Sequence, residues 1–191
     1  MSESFRILGF AGSLRKGSYN RAALRTAVEL APEGIQIDTF DLDGFPGFNE
    51  DEEQRPPQVV TRFKQAIAGA DALLIVTPEY NYSIPGVLKN AIDWASRPYG
   101  ESAFEGKCAA IMGASIGNLG TSRAQYHLRQ CAVFLNLQLL NRPEVMIGNA
   151  AERFDEAGRL THDKTRRKIA ELVEALVEFT HARSAGAEAK A

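Results

Sequence analysis

Short apolar runs and longer periodic segments alternate along the chain, and that alternation predicts its elements. Phe5 to Ala11 is a run of apolar and small residues, the pattern of a strand buried on both faces. From Asn20 to Leu30 the spacing turns helical, with Ala23, Leu24, Ala27, Val28 and the following Ala31 on one face. Ile35 to Phe40 alternates as a second strand, and Pro57 to Ala68 reads as a helix with Val60, Phe63 and Ile67 inward. Ala72 to Val76 is the most strand-like segment. A third helix begins near Pro85, because proline suits the first helical position, where its missing N–H has no intrahelical acceptor. Ser83 or Ile84 is then its cap, and Val87, Leu88, Ala91, Ile92 and Ala95 its buried stripe.

Lys107 to Gly113 is a fourth strand and Thr121 to Phe134 a fourth helix. Leu137 to Leu140 and Val145 to Ile147 read as two pieces of a fifth strand region. Thr161 is expected to cap a last helix that buries Ile169, Leu172, Val173, Leu176 and Val177. Repeated strand–helix alternation implies parallel strands joined by right-handed crossovers, with helices on both faces. Five strands and five helices fit the doubly wound α/β order 2-1-3-4-5. One domain is expected over residues 1–182, followed by an alanine-rich tail, 183–191, expected to be disordered. Residues 41–57, with six carboxylates, three prolines and two glycines, read as a long surface loop.

Composition narrows the classes. The 191 residues are 45% apolar and 24% charged, with a formal net charge of −2, which gives no global reason to expect nucleic acid or an anionic membrane as partner. Cys108 and Cys131 form no C-x-x-C pair, so neither a disulfide nor a metal site is expected. No segment has signal-peptide order or membrane-spanning length, and the expected location is cytoplasmic. The local balance changes the picture. Between Ser4 and Val28 no carboxylate occurs, yet Arg6, Arg15, Lys16, Arg21 and Arg25 do.

That basic stretch contains the end of the first strand. In a doubly wound sheet, ligands bind beyond the carboxyl ends of the strands where strand order reverses, here after the first and third strands. Gly12 to Asn20 sits there and opens the first helix, offering unpaired amides and the positive end of a helix dipole. Ser13 and Ser18 add hydroxyls, Asn20 an amide, and Arg15 a fork that matches phosphate geometry. Gly12 and Gly17 are expected to let the backbone approach closely. A P-loop would carry lysine before the serine after its second glycine, and Gly17-Ser18-Tyr19 does not. The dinucleotide spacing G-x-G-x-x-G also fails. A loop suited to a terminal phosphate monoester remains.

The third strand ends in Thr77-Pro78-Glu79-Tyr80-Asn81-Tyr82-Ser83-Ile84-Pro85-Gly86, which can offer free amides and an aromatic wall to a flat polar heterocycle. The fourth ends in Gly113-Ala114-Ser115-Ile116-Gly117-Asn118, whose small residues leave room for a ring against the backbone.

The runs G-S-L-R-K-G-S-Y-N and P-E-Y-N-Y-S-I-P-G-V-L-K-N-A-I-D-W-A-S-R-P together resemble the NADPH-dependent FMN reductase family, and within it the bacterial quinone and chromate reductases. The similarity runs nearly the whole chain through Glu178. It implies a flavodoxin-like fold with FMN at the strand ends. By that resemblance Ser13, Arg15, Ser18 and Asn20 contact the phosphate, with Tyr19 in the same loop. Pro78, Glu79, Tyr80, Asn81, Ser115 and Gly117 flank the isoalloxazine. The implied activity is ping-pong hydride transfer from NADPH or NADH through bound FMN to quinones, chromate, azo compounds or free flavin. No catalytic side chain and no metal is implied. A flavodoxin-type electron carrier without its own NAD(P)H turnover is the alternative, disfavoured by the lack of a strongly acidic face.

Arg97, after the third helix, is a candidate contact for an anionic acceptor or for NADPH, or else a surface arginine at a helix end. His127, His162 and His181 read as solvated. Arg123, Tyr126 and Arg129 share a helix face, and Arg123 and Tyr126 with Glu144 are candidate interface residues. The resemblance implies a homodimer or homotetramer.

Overall fold

A computed structural model of the protein describes residues 4–188. Apolar runs without alternation need cover on both faces, and the central strands have it. β1 (Phe5–Ala11) lies between β2 (Ile35–Phe40) and β3 (Ala72–Val76), and β4 (Cys108–Ala114) follows β3. Every pairing is parallel; Ile7 stands beside Ile37 on one side and Ala72 on the other. β5 (Gln138–Leu139) pairs with the start of β4 and β6 (Val145–Ile147) with its end. The strand order is therefore 2-1-3-4-5, with the fifth position split. Pro143 lies in the gap, and a residue without an N–H cannot extend the ladder.

Alternate side chains of each strand point to opposite faces, so neighbouring apolar residues serve two cores. Ile7, Leu74, Val76 and Met112 pack against α1 (Tyr19–Glu29) and α6 (Asp163–Glu188). Leu8, Phe10, Leu73, Ile75 and Ile111 pack against α2 (Gln58–Ala68), α3 (Gly86–Ala95) and α4 (Ser122–Phe134). Phe63 centres the second core, with ring centroids 5.1 Å from Phe10 and 4.9 Å from Phe40. α5 (Ala150–Arg153) is a single turn after β6.

Several local expectations are corrected. Val28 is exposed; α1 buries Ala23, Leu24 and Ala27 as expected, together with Ala22 and Thr26, the Thr26 hydroxyl donating to the Ala22 carbonyl at 3.1 Å. Pro85 is the residue before α3 rather than its first position, with extended backbone at ψ 151°. α6 is capped by His162, not Thr161: His162 Nδ1 accepts the Thr165 amide at 3.3 Å, while the Thr161 hydroxyl donates to Arg153. The tail is also corrected over 183–188, where α6 continues, because alanine is the strongest helix former. There the Ser184 hydroxyl donates to Thr180, and Arg183 donates to Gln138. Residues 189–191 of that expected tail lie outside the described residues.

The acidic stretch 41–57 docks on α3. The Pro46 carbonyl accepts from the Asn90 amide (2.8 Å) and the Trp94 indole (2.9 Å), and Phe48 lies edge-on to Trp94. A short 3-10 turn, Glu50–Glu52, is capped by the Asn49 side chain.

Candidate functional site

Past the end of β1, the Gly12 amide makes the last sheet bond, to the Val76 carbonyl at 2.8 Å. A side chain at Gly12 would begin 3.0 Å from both Pro85 and Leu88, so glycine here lets α3 start against the loop. A side chain at Gly17 would begin 3.8 Å from Arg15 Nη1, an ordinary contact, so no packing within the chain requires glycine there. Among the described residues, the amides of residues 13 to 17 have no acceptor. Ser18 caps α1, its oxygen accepting the amides of Asn20 (3.2 Å) and Arg21 (3.4 Å). With those acceptor positions filled, the hydroxyl hydrogen is left to donate outward. Ser13 is buried and Arg15 exposed. Arg15 has no carboxylate partner among the described residues; its guanidinium stands 6.0 Å from the Tyr19 ring. Tyr19 in turn packs on Phe154. Free amides, a hydroxyl and an unpaired guanidinium at a helix N-terminus together form an anion site.

Asn20 lines the same loop and has a structural part as well. Its side-chain nitrogen donates to the Ala114 carbonyl at 2.9 Å and its oxygen accepts the Ala114 amide at 2.8 Å. It is buried, and it staples the start of α1 to the end of β4 across the intervening strands. The phosphate loop and the loop after β4 are thereby held in one register.

The segment after β3 is a two-residue hairpin. Tyr80 and Ser83 exchange amide–carbonyl bonds at 2.9 and 3.0 Å, and Asn81 and Tyr82 between them are both left-handed, at φ 51° and 65°. Both central residues at positive φ make this the turn type that matches strand twist. The Glu79 carboxylate is turned to α4, where one oxygen accepts the amides of Arg123 (3.0 Å) and Ala124 (3.2 Å) and the other accepts Arg123 Nε at 2.5 Å. Its charge is therefore neutralised away from the cleft.

The third loop is tied down from the opposite side. The Ser115 amide donates to Ile147, and its carbonyl accepts from Ala150. A side chain at Gly113 would begin 2.1 Å from the Thr77 carbonyl and 2.3 Å from Thr121 Oγ1, so only glycine lets β4 and β3 end this close together.

The three loops enclose a cleft of about 300 Å3 lined by Ser13, Arg15, Ser18, Tyr19, Asn20, Pro78, Glu79, Tyr80, Ala114, Ser115 and Ile116. Asn81 and Gly117 are outside it. Asn81 sits at the hairpin tip, and the Gly117 carbonyl is taken by Asn149 and Gly120. Ala114 and Ile116 belong to the segment expected to leave room for a ring but were not singled out as its contacts; Ile116 is an apolar residue left 72% exposed at a strand end. Arg97 is not among the residues that line this cleft. Helices run back against the strands, so the far end of the ten-residue α3 lies about 15 Å from the loops. There Arg97 stacks over Tyr99 at 4.0 Å and donates to its hydroxyl. No histidine lines the cleft. His127 Nδ1 lies 3.0 Å from the Ser83 hydroxyl, and His181 packs on Phe5. The described residues contain no cluster of side chains suited to a metal ion.

Comparison with known proteins meets this geometry from another direction. The sequence model of the NADPH-dependent FMN reductase family matches residues 5–152. The chain is 56% identical to an NAD(P)H-dependent FMN reductase of Pseudomonas aeruginosa, over 92% of this chain and 95% of that one. It is 45% identical to a 2-hydroxy-1,4-benzoquinone reductase of Burkholderia, over 87% and 91% of the two chains. Among solved structures, the flavoenzyme NAD(P)H:(acceptor) oxidoreductase FerB of Paracoccus denitrificans superposes with a TM-score of 0.86 at 35% identity, over 94% of this chain and 98% of that one. A family match spanning every strand of the sheet, with relatives this similar along almost their whole lengths, makes this chain a member of the NADPH-dependent FMN reductase family.

Proposed function

We propose that the protein is an FMN-dependent NAD(P)H oxidoreductase for quinones, with chromate, azo compounds and free flavin as further acceptors. The observation that carries this reading is the run of acceptor-free amides from residue 13 to 17 at the β1/β3 switch point, under the Ser18 cap and beside the unpaired Arg15. The fit to FMN is good on physical grounds. The donors are those a phosphate dianion requires, and the carboxylate nearest the cleft, Glu79, is already paired. When bound, FMN supplies the two-electron carrier between the nicotinamide nucleotide and the acceptor.

The chain's own residues then bind and orient. Ser13, Ser18 and Arg15 hold the phosphate, while Asn20 fixes the loop that carries them. Pro78 to Tyr80 and Ala114 to Ile116 flank the ring. The small side chains of Ala114 and Ser115 keep that wall low enough for NAD(P)H and a flat acceptor to take turns above it. Both nicotinamide nucleotides fit this reading, and the cytoplasm, where they are held reduced, is its proposed location. No helix among the described residues is long and apolar enough to cross a membrane.

We also propose a homodimer or homotetramer. α4 leaves Val133 83% and Phe134 72% exposed, and on the same helix Tyr126 donates to Glu144 at 3.3 Å. A second copy covering this helix buries those side chains. Arg123 of the expected interface trio is committed to Glu79 within its own chain.

The test is direct. Purified protein should be yellow or take up added FMN, and should oxidise NADPH or NADH with a soluble quinone faster than free FMN does. Bound flavin without such turnover would favour the electron carrier; a colourless protein that ignores FMN would remove the cofactor reading.

A further inference from the structure

The hairpin beside the cleft is held in a conformation that its own sequence does not favour. Asn81 tolerates the left-handed region, but Tyr82 at φ 65° does not do so readily. What holds it comes from α4. Thr121, the residue before that helix, makes no side-chain capping bond. The Glu79 carboxylate does so in its place, accepting the amides of Arg123 and Ala124 at 3.0 and 3.2 Å. The Arg123 side chain pairs with Glu79 and lies over the Tyr82 ring, its guanidinium carbon 3.8 Å from the centroid. One turn further on, His127 meets the Ser83 hydroxyl. The Glu79 side chain is only 5% exposed.

We propose that Glu79 is a positioning residue for the cofactor: by bridging the N-terminus of α4 and Arg123, it holds Pro78 to Ser83 in the left-handed turn that walls the cleft. This rests on the FMN reading above. It assigns the side chain to the geometry of the wall rather than to contact with the ring.

The test compares wild-type holoprotein with Glu79→Ala and with the double variant Glu79→Ala/Tyr82→Gly. The second change creates Asn81-Gly at the turn, the dipeptide that best forms it unaided. Glu79→Ala should weaken FMN binding about ten-fold, the scale of one charge-assisted hydrogen bond, and change the visible circular dichroism of the bound flavin. The double variant should recover FMN binding to within about three-fold of wild type, because the turn then needs no support. A lower melting temperature with unchanged FMN affinity and flavin dichroism would make Glu79 a helix cap only and overturn the proposal, as would failure of the double variant to recover binding. If Glu79→Ala does not fold, Arg123→Lys keeps the charge but loses the stack on Tyr82. It should then change the flavin dichroism and raise the NAD(P)H KM more than it lowers kcat, and no change in either would overturn the proposal. A wild-type protein that binds no FMN overturns the flavin reading and this proposal together. Tight wild-type binding, unchanged in Glu79→Ala, overturns this proposal alone.

Discussion

The two ends of the sheet are built from the same strands and treat their polar groups in opposite ways. At the amino end the groups are paired off. Arg6 and Asp71 exchange bonds, the Arg6 amide donating to the Asp71 carboxylate at 2.7 Å and the Asp71 amide to the Arg6 carbonyl at 2.8 Å. Lys107 donates to the carbonyls of Ala68 and Ala70 at 3.0 and 2.6 Å, satisfying the end of α2. A wider cavity of about 730 Å3 lies there, but Lys107, Arg183 and Gln138 on its lining are already bonded within the chain. At the carboxyl end the amides of residues 13 to 17 are left without acceptors, and the bonds present, from Asn20, Glu79 and Ser18, fix loops rather than fill the cleft. Cavity size does not mark the site in this protein. Rigid loops with donors left over do.

Four substitutions sharpen that contrast, from the largest effect down. Gly113→Ala puts a methyl on the Thr77 carbonyl where β3 and β4 end, and should cost about 3 kcal/mol, the upper range for forced overpacking. Thermal or urea unfolding measures it, and a loss under about 1 kcal/mol would mean the strand ends can move apart. Arg15→Ala should leave melting unchanged and weaken FMN binding by about 1.5–3 kcal/mol, the worth of a hydrogen bond to a charged group. Riboflavin, lacking the phosphate, should bind wild type and variant almost equally; an equal loss for riboflavin would remove the phosphate role.

At the closed end, Lys107→Met should do the reverse, lowering stability by about 1 kcal/mol through two unpaired carbonyls and leaving FMN affinity alone. Burial pushes the Lys107 ammonium below the ordinary lysine value of 10.5. The penalty on its charged form is therefore present at neutral pH and relaxes as pH rises toward that value, so wild type should gain on the variant in alkali. The smallest effect belongs to Asp38, whose carboxyl is held below its ordinary 3.8 by hydrogen bonds from Arg6 and Gln36. That stabilisation is present above the ordinary value and is lost as pH falls through the lowered one. Asp38→Asn should flatten only the acid edge of the stability profile, and weakly, because the pair is exposed.

Most of the fold was legible because burial on two faces leaves a mark in sequence. Ala72 to Val76 and Cys108 to Ala114 are apolar throughout and are buried throughout. The boundaries that slipped are those set by a single cap, at Pro85 and His162, and the Val28 error came from counting hydrophobicity where tight packing selected Ala22 and Thr26. In the site, the phosphate loop was legible because its chemistry lies in consecutive residues. The parts of Asn20 and Glu79 were not, because their partners, Ala114 and Arg123, lie 94 and 44 residues away.

The sequence alone therefore determined the strand order, the loop at the switch point and the family. Each follows from local periodicity or from a contiguous motif. Only the tertiary structure decided which polar groups remain for a ligand, since a donor is free only when the whole fold offers it no partner. It bonded the Asn20 oxygen and one of its N–H groups to Ala114 and the Glu79 carboxylate to α4, placed Arg97 at the far end of α3, and left the amides of residues 13 to 17 open.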